Sequence, residues 1–188
     1  VLRVITGGYV YFMRGTPLWL QLFFVYYGLP FLPVGAFVLD RFTSAWVAFT
    51  LNYAAYFCEI FRGGLLAIDK GQYEAAQSIG MSHFQTMMSV VLPQVIRNIL
   101  PATGNEFVIN IKDTSVLNVI SVSELFFATK SVAGVNFMYM ETYLVTAMIY
   151  LVLTFTITRI LRLVEKKMDG PENYNLTGNQ MQVLKPVD

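Results

Sequence analysis

The sequence predicts an all-α, multi-pass bundle of transmembrane helices. Hydrophobic residues make up 55% of its 188 residues and charged residues only 13%, whereas soluble domains carry roughly 25% charged residues. Residues 15–39, 42–58 and 142–158 contain no Asp, Glu, Lys or Arg. A helix that crosses a bilayer needs about 20 largely apolar residues, so each run is a candidate span once its flanks are added.

The rest of the composition argues against several classes of function. The net charge of +1 gives no reason to expect a nucleic-acid partner. The single His83 has no partner for a metal site or a catalytic triad, and the lone Cys58 lies in an apolar stretch where packing is its expected role. The sequence contains no Walker A loop (Gly-x4-Gly-Lys-Ser/Thr) and no nucleophile–base pattern. We therefore expect no catalytic site, no metal site and no ATP site in this chain.

The first apolar run contains residues that start and break helices. A helix over 17–27 would be about 16 Å long, too short to span a membrane. Either the helix extends back through residues 9–14, or the remainder re-enters the membrane. We expect backward extension with a bend at residues 14–15. The residues that mark the start and a break near 27–32 are Thr16, Pro17, Gly28, Pro30 and Pro33.

The distribution of basic residues orients the remaining spans. Cytoplasmic loops carry an excess of Lys and Arg, and that excess places the segment near 70–93 and the C-terminus in the cytoplasm. Residues 116–133 are amphipathic and would lie outside or re-enter. The predicted spans are about 9–31 and 44–66, then about 90–112 and 140–164. The basic residues of the cytoplasmic side are Arg3, Arg14, Arg62, Lys70, Arg97, Arg159, Arg162, Lys166 and Lys167, against Arg41 and Lys130 on the opposite side.

Two regions follow from this order. Residues 1–167 form the transmembrane domain, and residues 168–188 form a polar tail rich in residues that disfavour a packed core. The chain starts with Val1 rather than Met. We expect a preceding first helix, which would bring the four spans to five.

A polar segment of small residues lies between the second and third predicted spans. Its spacing is Glu-Ala-Ala, three residues, Gly, nine residues and then Val-Val-Leu-Pro. Small side chains allow another backbone to approach closely, so the segment can be a docking helix for a soluble partner. The alternative is an ordinary loop helix, because Glu and Ala favour helices. The candidate docking residues are Glu74, Ala75, Ala76, Gly80 and Pro93.

With three further motifs, this segment resembles the membrane subunit of binding-protein-dependent ABC importers. The resemblance is to the MetI-like (type I) fold and to the polar amino-acid group that carries His, Gln, Glu, Arg or opines. It covers residues 12–167, and Val90 stands where the family's EAA loop has Ile. The motifs are Arg14-Gly15-Thr16-Pro17-Leu18 with Tyr27-Gly28-Leu29-Pro30; Ala55-Tyr56 with Glu59-Ile60-Phe61-Arg62-Gly63-Gly64; Ile68-Asp69-Lys70-Gly71-Gln72-Tyr73-Glu74-Ala75-Ala76; and Gly104-Asn105-Glu106-Phe107 with Lys112-Asp113-Thr114-Ser115.

The resemblance implies a set of partners and a location. The chain would be a multi-pass permease subunit in a bacterial cell membrane, paired with an identical or a different permease subunit. Polar amino acids would arrive from an extracytoplasmic binding protein or domain. ATP and Mg would be bound by a partner ATPase, and this chain would hold no cofactor of its own. ATP-driven closure of the ATPase dimer would rock the helices around a fixed site.

Specific roles are expected within the docking segment. Glu74 would begin a short helix, where its charge suits the N-terminal dipole. Gly80 would turn the chain into the next helix, and Pro93 would occupy the first turn of the helix that carries the motion onward. Gly71 would end or bend the preceding segment.

Polar and ionisable residues inside predicted spans are costly and therefore mark a candidate substrate pathway. Carboxylates of Asp113 or Glu59 could accept a substrate ammonium, and hydroxyl or amide groups could bind its carboxylate. On an ideal helix Glu106, Asn110 and Asp113 share one face, whereas Lys112 points elsewhere. The candidate residues are Glu59, Asn105, Glu106, Asn110, Lys112, Asp113, Thr114 and Ser115.

Structural roles for the same residues stay open. Lys112 can pair with a carboxylate, and Arg62 can pair with Glu59 one turn before it. A hydrogen bond from Asn110 can equally explain Glu106. Glu124 and Lys130, outside the membrane, are a solvated face or a contact for a binding protein.

Two rival functions stay open as well. A secondary transporter would bind protons or cations at Glu59 and Asp113, but it would need inverted repeats that the sequence lacks. A non-transporting membrane scaffold would have no use for charges inside spans together with a docking segment.

Overall fold

The computed structural model describes residues 2–32 and 38–169, and every regular element in these two ranges is helical. The predicted helix breaker Pro33 and most of the predicted tail lie outside the described residues. The elements in order are α1 (Leu2–Gly15), α2 (Leu18–Phe23) with a π-helix (Phe24–Gly28) and a 3-10 helix (Leu29–Phe31), α3 (Arg41–Leu66), α4 (Lys70–Ser78), α5 (His83–Thr86) with a π-helix (Met87–Val91), α6 (Leu92–Asp113) with a 3-10 helix (Thr114–Ile120), α7 (Leu125–Asn136) and α8 (Tyr139–Asp169).

The first predicted span is two helices separated by a short break. α1 ends at Gly15 and α2 begins at Leu18, so the bend lies slightly later than the expected residues 14–15. The Thr16 hydroxyl does not cap α2, because it donates backward to Phe12 O at 2.9 Å. Pro17 has extended backbone angles and is the residue before the helix rather than within its first turn.

The predicted break near residues 27–32 lies at the C-terminal end of that range. Gly28 has helical angles and the chain stays helical to Phe31. The change from π to 3-10 geometry explains this, because Pro30 falls in the first turn of the new segment, where it needs no N–H donor.

α3 matches the second predicted span closely, and its start is the most firmly capped of the described helix starts. Its 26 residues are about 39 Å long at ~1.5 Å per residue, enough to cross a hydrocarbon core of roughly 30 Å. Asp40 caps it by accepting from the N–H groups of Phe42 (2.9 Å) and Thr43 (3.1 Å). The Thr43 hydroxyl also donates to this carboxylate and holds the pKa of Asp40 below its usual value, so the cap stays charged at neutral pH.

The third predicted span lies inside a longer helical stretch from His83 to Ile120. Pro93 lies in the first turn of α6, as the sequence predicts, although the helical stretch as a whole starts ten residues earlier, at His83. The π-helix just before it accommodates the ring: the N–H of Leu92 donates to Met87 O, five residues back. Widening the turn there spares Pro93 the clash that an interior proline makes in a regular α-helix.

The amphipathic segment 116–133 is divided by a sharp corner. Ser121 adopts left-handed angles (φ 58°), and α7 leaves the preceding helix at 55°. Glu124 caps α7 by accepting from the N–H groups of Phe126 and Phe127. Lys130 donates to Asn118 Oδ1 at 3.1 Å. Glu124 and Lys130 thus each have a hydrogen-bond partner close in sequence.

α8 is the clearest membrane helix. Residues Tyr139–Met168 have a mean hydropathy of 1.9 in their most apolar window, and only 6% of that window is buried. A second candidate is the bent pair His83–Ile120 and Leu125–Asn136, taken as one span. The count of four spans stays a prediction. α8 continues through Asp169, so the helix does not end at the predicted boundary after residue 167.

Two small clusters hold the helices together. One joins α2, α3 and the 3-10 turn after α6 through Leu22, Val25, Ala45, Ala48 and Ile120. The other joins the end of α3 to the start of α6 through Ile68, Val91, Val95 and Ile99. Most other large apolar side chains of the described residues are exposed. That pattern is typical of a surface covered by lipid or by another subunit.

Candidate functional site

The docking segment is a short helix that projects between α3 and α6. α4 begins at Lys70 and is capped by Asp69, whose carboxylate accepts from the Gly71 N–H at 2.6 Å. Gly71 is therefore inside α4 and does not end the preceding segment. Glu74 is the fifth residue of the helix, one turn later than expected, because the cap is supplied by Asp69 rather than by a residue just before Glu74.

Gly80 ends this helix in the way the sequence indicates. Its φ is +84°, and the chain reverses with two hydrogen bonds, Gly80 N–H to Gln77 O (3.0 Å) and Met81 N–H to Ala76 O (3.1 Å). This pair of bonds is the Schellman motif, in which glycine takes the left-handed position at no steric cost. Ser82 and Gln85 then form a capping box that starts α5.

The five predicted docking residues do not share one surface. Glu74, Ala75 and Gly80 are exposed. Ala76 is only 4% exposed and faces the protein. Pro93 is exposed but lies in the first turn of α6, well along the chain from α4.

Two apolar residues complete the exposed surface and were not predicted. Ile79 is 78% exposed and Phe84 is 73% exposed, one on each side of the Gly80 turn. Both lie close in sequence to the exposed predicted residues Glu74, Ala75 and Gly80, so this stretch combines apolar area with small and charged residues. Their position within the polar stretch between two apolar runs was the signal available in the sequence. We call the exposed residues Glu74, Ala75, Ile79, Gly80 and Phe84 the docking surface.

A polar cavity of about 480 Å³ lies where the α1–α2 break meets α3 and α6. The Tyr53 hydroxyl donates to Asp113 Oδ2 at 2.8 Å across this cavity. The α1–α2 break, the middle of α3 and the C-terminal half of α6 all contribute to its lining. The lining residues are Arg14, Gly15, Thr16, Pro17, Leu18, Trp19, Asn52, Tyr53, Tyr56, Glu106, Ile109, Asp113 and Val116.

A buried amide network keeps the break open. The Gln21 side-chain amide donates to Met13 O (2.8 Å) and to Thr16 O (3.1 Å). Asn52 donates to Met13 O (3.2 Å) and to Gln21 Oε1 (3.0 Å). Within a membrane, backbone groups that leave a helix must be satisfied internally. Gln21 and Asn52 therefore stabilise an interrupted helix beside the cavity.

Arginine and carboxylate side chains form a second cluster at the α1–α3 contact. Glu59 accepts from Arg62 through two nitrogens, at 2.6 to 3.1 Å, and its Oε2 lies 3.6 Å from Arg14. The Arg14 guanidinium also lies 5.4 Å from the centre of the Tyr56 ring. Arg62 and Glu59 thus form the structural ion pair considered from the sequence. Glu59 is not among the residues that line the cavity.

The remaining predicted pathway residues separate into groups. Glu106 and Asp113 line the polar cavity, whereas Glu106, Asn110 and Thr114 line a larger, mainly apolar groove of about 770 Å³ between α3, α6 and α8. Asn105 and Lys112 are exposed, and Lys112 has no carboxylate within 4.0 Å among residues 2–32 and 38–169. Ser115 is half-buried and lines neither space.

The sequence analysis did not assign several of the residues that line the cavity to the substrate pathway. Arg14, Thr16, Tyr53 and Tyr56 contribute its polar groups, and Asn52 helps to hold its wall. A polar Asn in the middle of the charge-free run 42–58 was a signal for Asn52. No local signal connects Arg14 to α3, because their contact depends on how the broken helix folds back.

Replacing Glu59 by Gln is expected to weaken the α1–α3 contact without changing substrate affinity. The substitution removes the charge that binds Arg62 and Arg14, and exposed ion pairs of this kind contribute only a small amount of stability. Thermal unfolding of the detergent-solubilised complex should therefore start a few degrees lower. Substrate titrations of the same sample should agree with the unaltered protein within a factor of two. A large loss of affinity would instead place Glu59 at the substrate.

Comparison with known proteins agrees with this architecture. A family model described as "Binding-protein-dependent transport system inner membrane component" matches residues 1–170. The chain is 42% identical to "Probable amino-acid permease protein YxeN" of Bacillus subtilis, over 91% of this chain and 76% of that protein. It is 39% identical to "Glutamine transport system permease protein GlnP" of Escherichia coli, over 83% and 71%.

A solved structure is similar across most of the fold. It is titled "Crystal structure of an amino acid ABC transporter with histidines", and it aligns with a TM-score of 0.80 at 38% identity. The alignment covers 87% of this chain and 75% of that one.

Proposed function

The chain belongs to the family of inner membrane components of binding-protein-dependent transport systems, and from this premise we propose that it is the membrane-spanning permease subunit of an ATP-driven importer of polar amino acids. The observation that carries the proposal is an exposed docking surface on a short helix between two long ones. Relatives named for amino-acid and glutamine transport support the substrate class. Members of this family are transport components and are not themselves catalytic.

The docking surface is proposed to bind an ATP-hydrolysing subunit. Ile79 and Phe84 offer apolar area, Ala75 and Gly80 let a partner's backbone approach, and Glu74 offers a charge at the edge. ATP and Mg are bound by that subunit, so this chain needs no cofactor. The buried Ala76 packs α4 against the rest of the protein. Pro93 lies in α6, the helix that is proposed to be displaced with α4.

The polar cavity is proposed as part of the substrate pathway. A zwitterionic amino acid needs an anion for its ammonium and donors for its carboxylate. Asp113 and Glu106 supply the first, and the Arg14 guanidinium supplies the second, because the hydroxyls of Tyr53 and Thr16 already donate to Asp113 and to Phe12 O. Intramembrane charges of this kind are costly to keep unless they serve transport or structure. Asn110 and Thr114 extend the polar path into the neighbouring groove.

The complete importer requires three further components. A second permease subunit, identical or different, faces the open groove, and an extracytoplasmic binding protein or domain delivers the amino acid. The bias of basic residues places α4 and the C-terminus in the cytoplasm of a bacterial cell. Domain closure in the ATPase then tilts the helices about the cavity and alternates its access.

Purification through a tag on this chain tests the assembly directly. We expect a stoichiometric ATPase subunit to copurify and the complex to hydrolyse ATP. Changing Glu74 to Lys reverses the charge of the docking surface and should reduce recovery of the ATPase. The matched variant Lys112→Gln alters an exposed residue elsewhere and should leave recovery unchanged. A pure permease without an ATPase, from cells that express all components, would contradict the proposed function.

A further inference from the structure

A tight helix crossing lies directly behind the docking segment. Gly64, near the end of α3, is buried against α6. A Cβ at this position would overlap Ile99 Cγ2 and would lie 3.3 Å from Val95 Cγ1 and 3.7 Å from Val95 O. The backbone of α3 therefore touches α6 in a way that only glycine permits.

The neighbouring glycine makes the contrast clear. Gly63 is exposed, and a Cβ built on it would meet nothing within 4 Å. The two residues follow each other in one helix and differ only in what they face. Helix propensity and backbone flexibility are the same for both, so the close contact is the property specific to Gly64.

The same crossing holds the docking segment. Ile68, in the link between α3 and α4, packs with Val95 and Ile99, and Tyr73 of α4 packs against this cluster. The Gln94 amide of α6 also donates to Gln72 Oε1 of α4 at 3.3 Å. α4 is therefore attached on one side to the end of α3 and on the other to the start of α6.

We propose that Gly64 is a positioning residue for energy coupling: by letting α3 and α6 touch, it makes the end of α3, the docking helix α4 and the start of α6 move as one body. Close-packed contacts transmit a displacement because they cannot deform continuously. A displacement of α4 then reaches both long helices together. This inference rests on the proposed function, since it concerns how that importer is driven.

The test compares ATP hydrolysed per amino acid transported in vesicles that contain the complete complex. Gly64→Ala inserts a methyl group into the crossing and should raise this ratio roughly fivefold, the lower end of typical coupling energies. Gly63→Ala adds the same methyl group to open space and should keep the ratio within a factor of two. An assembled Gly64→Ala complex with an unaltered ratio would overturn the inference.

If the Gly64→Ala complex does not assemble, exchanging side-chain volume between positions 64 and 99 provides a second test. Ile99→Ala removes bulk opposite Gly64 and should loosen the contact and raise the ratio. The double variant Gly64→Ala with Ile99→Ala restores contact and should return the ratio toward that of the unaltered complex. Independent effects in the double variant, without rescue, would contradict the inference. An unaltered complex that shows no ATP-dependent uptake would instead contradict the proposed function itself.

Discussion

Replacing Gly80 by Val is expected to reduce ATP-dependent uptake roughly 5- to 30-fold while the chain still inserts into the membrane. Gly80 has a φ of +84° and ends α4 through two backbone hydrogen bonds. An L-residue in a left-handed conformation costs about 1–2 kcal/mol, and a β-branched residue is strained further. A penalty of this size changes a population by a factor of roughly 5–30. The loss falls on the docking surface, because α4 can no longer end where Ile79 and Phe84 become exposed.

The matched control is Gly80→Asn. Asn adopts left-handed angles far more readily than Val, so it tests backbone conformation separately from side-chain size. Uptake into vesicles should fall only slightly for Asn and strongly for Val. Equal losses for both variants would mean that the absence of a side chain, and not the turn, is what the partner requires. Normal uptake with Val would remove the role of Gly80 altogether.

The second large effect is expected at Asp113. Asp113→Asn keeps the shape of the side chain and an oxygen that can accept from Tyr53, but it removes the negative charge from the polar cavity. Hydrogen bonds to charged groups contribute about 1.5–3 kcal/mol, so the affinity for substrate should fall tenfold or more. Assembly with the ATPase should not change, because Asp113 lies far along α6 from the docking surface.

Two companion variants separate substrate binding from structure. Tyr53→Phe removes the hydrogen bond to Asp113 and keeps the charge, so affinity should fall less than in Asp113→Asn. Lys112→Gln changes the adjacent exposed residue and should have no effect on affinity. Unchanged affinity in Asp113→Asn, measured by substrate titration of the purified complex, would assign Asp113 a structural role.

Long charge-free runs were sufficient to predict the helices α3 and α8. Both are set by a property that is local in sequence, namely 17 or more residues without a charge next to capping or basic residues. The EAA spacing likewise predicted an exposed helix ended by Gly80, because a turn of this kind depends on a glycine at one position.

The interior of the site was less accessible to sequence reasoning. The break at Thr16–Pro17 is stabilised by Gln21 and Asn52, which are 31 residues apart, and no spacing rule connects them. Pro93 lies in the first turn of α6 as predicted, but the π-helix that joins α6 to the preceding helical turns was not predicted. Ala76 is buried because α4 packs against the protein through one face. Packing partners distant in sequence determine the helix break and the burial of Ala76, whereas the π-helix before Pro93 is a local change of backbone geometry.

Uptake of a panel of labelled polar amino acids into vesicles, with and without ATP on the side that carries the ATPase, tests the central claim most directly. The vesicles contain the purified complex together with its binding protein. The proposed function predicts that one or a few of these amino acids accumulate only when ATP is present. Accumulation that follows an imposed proton or sodium gradient without ATP would contradict it and would support a secondary transporter.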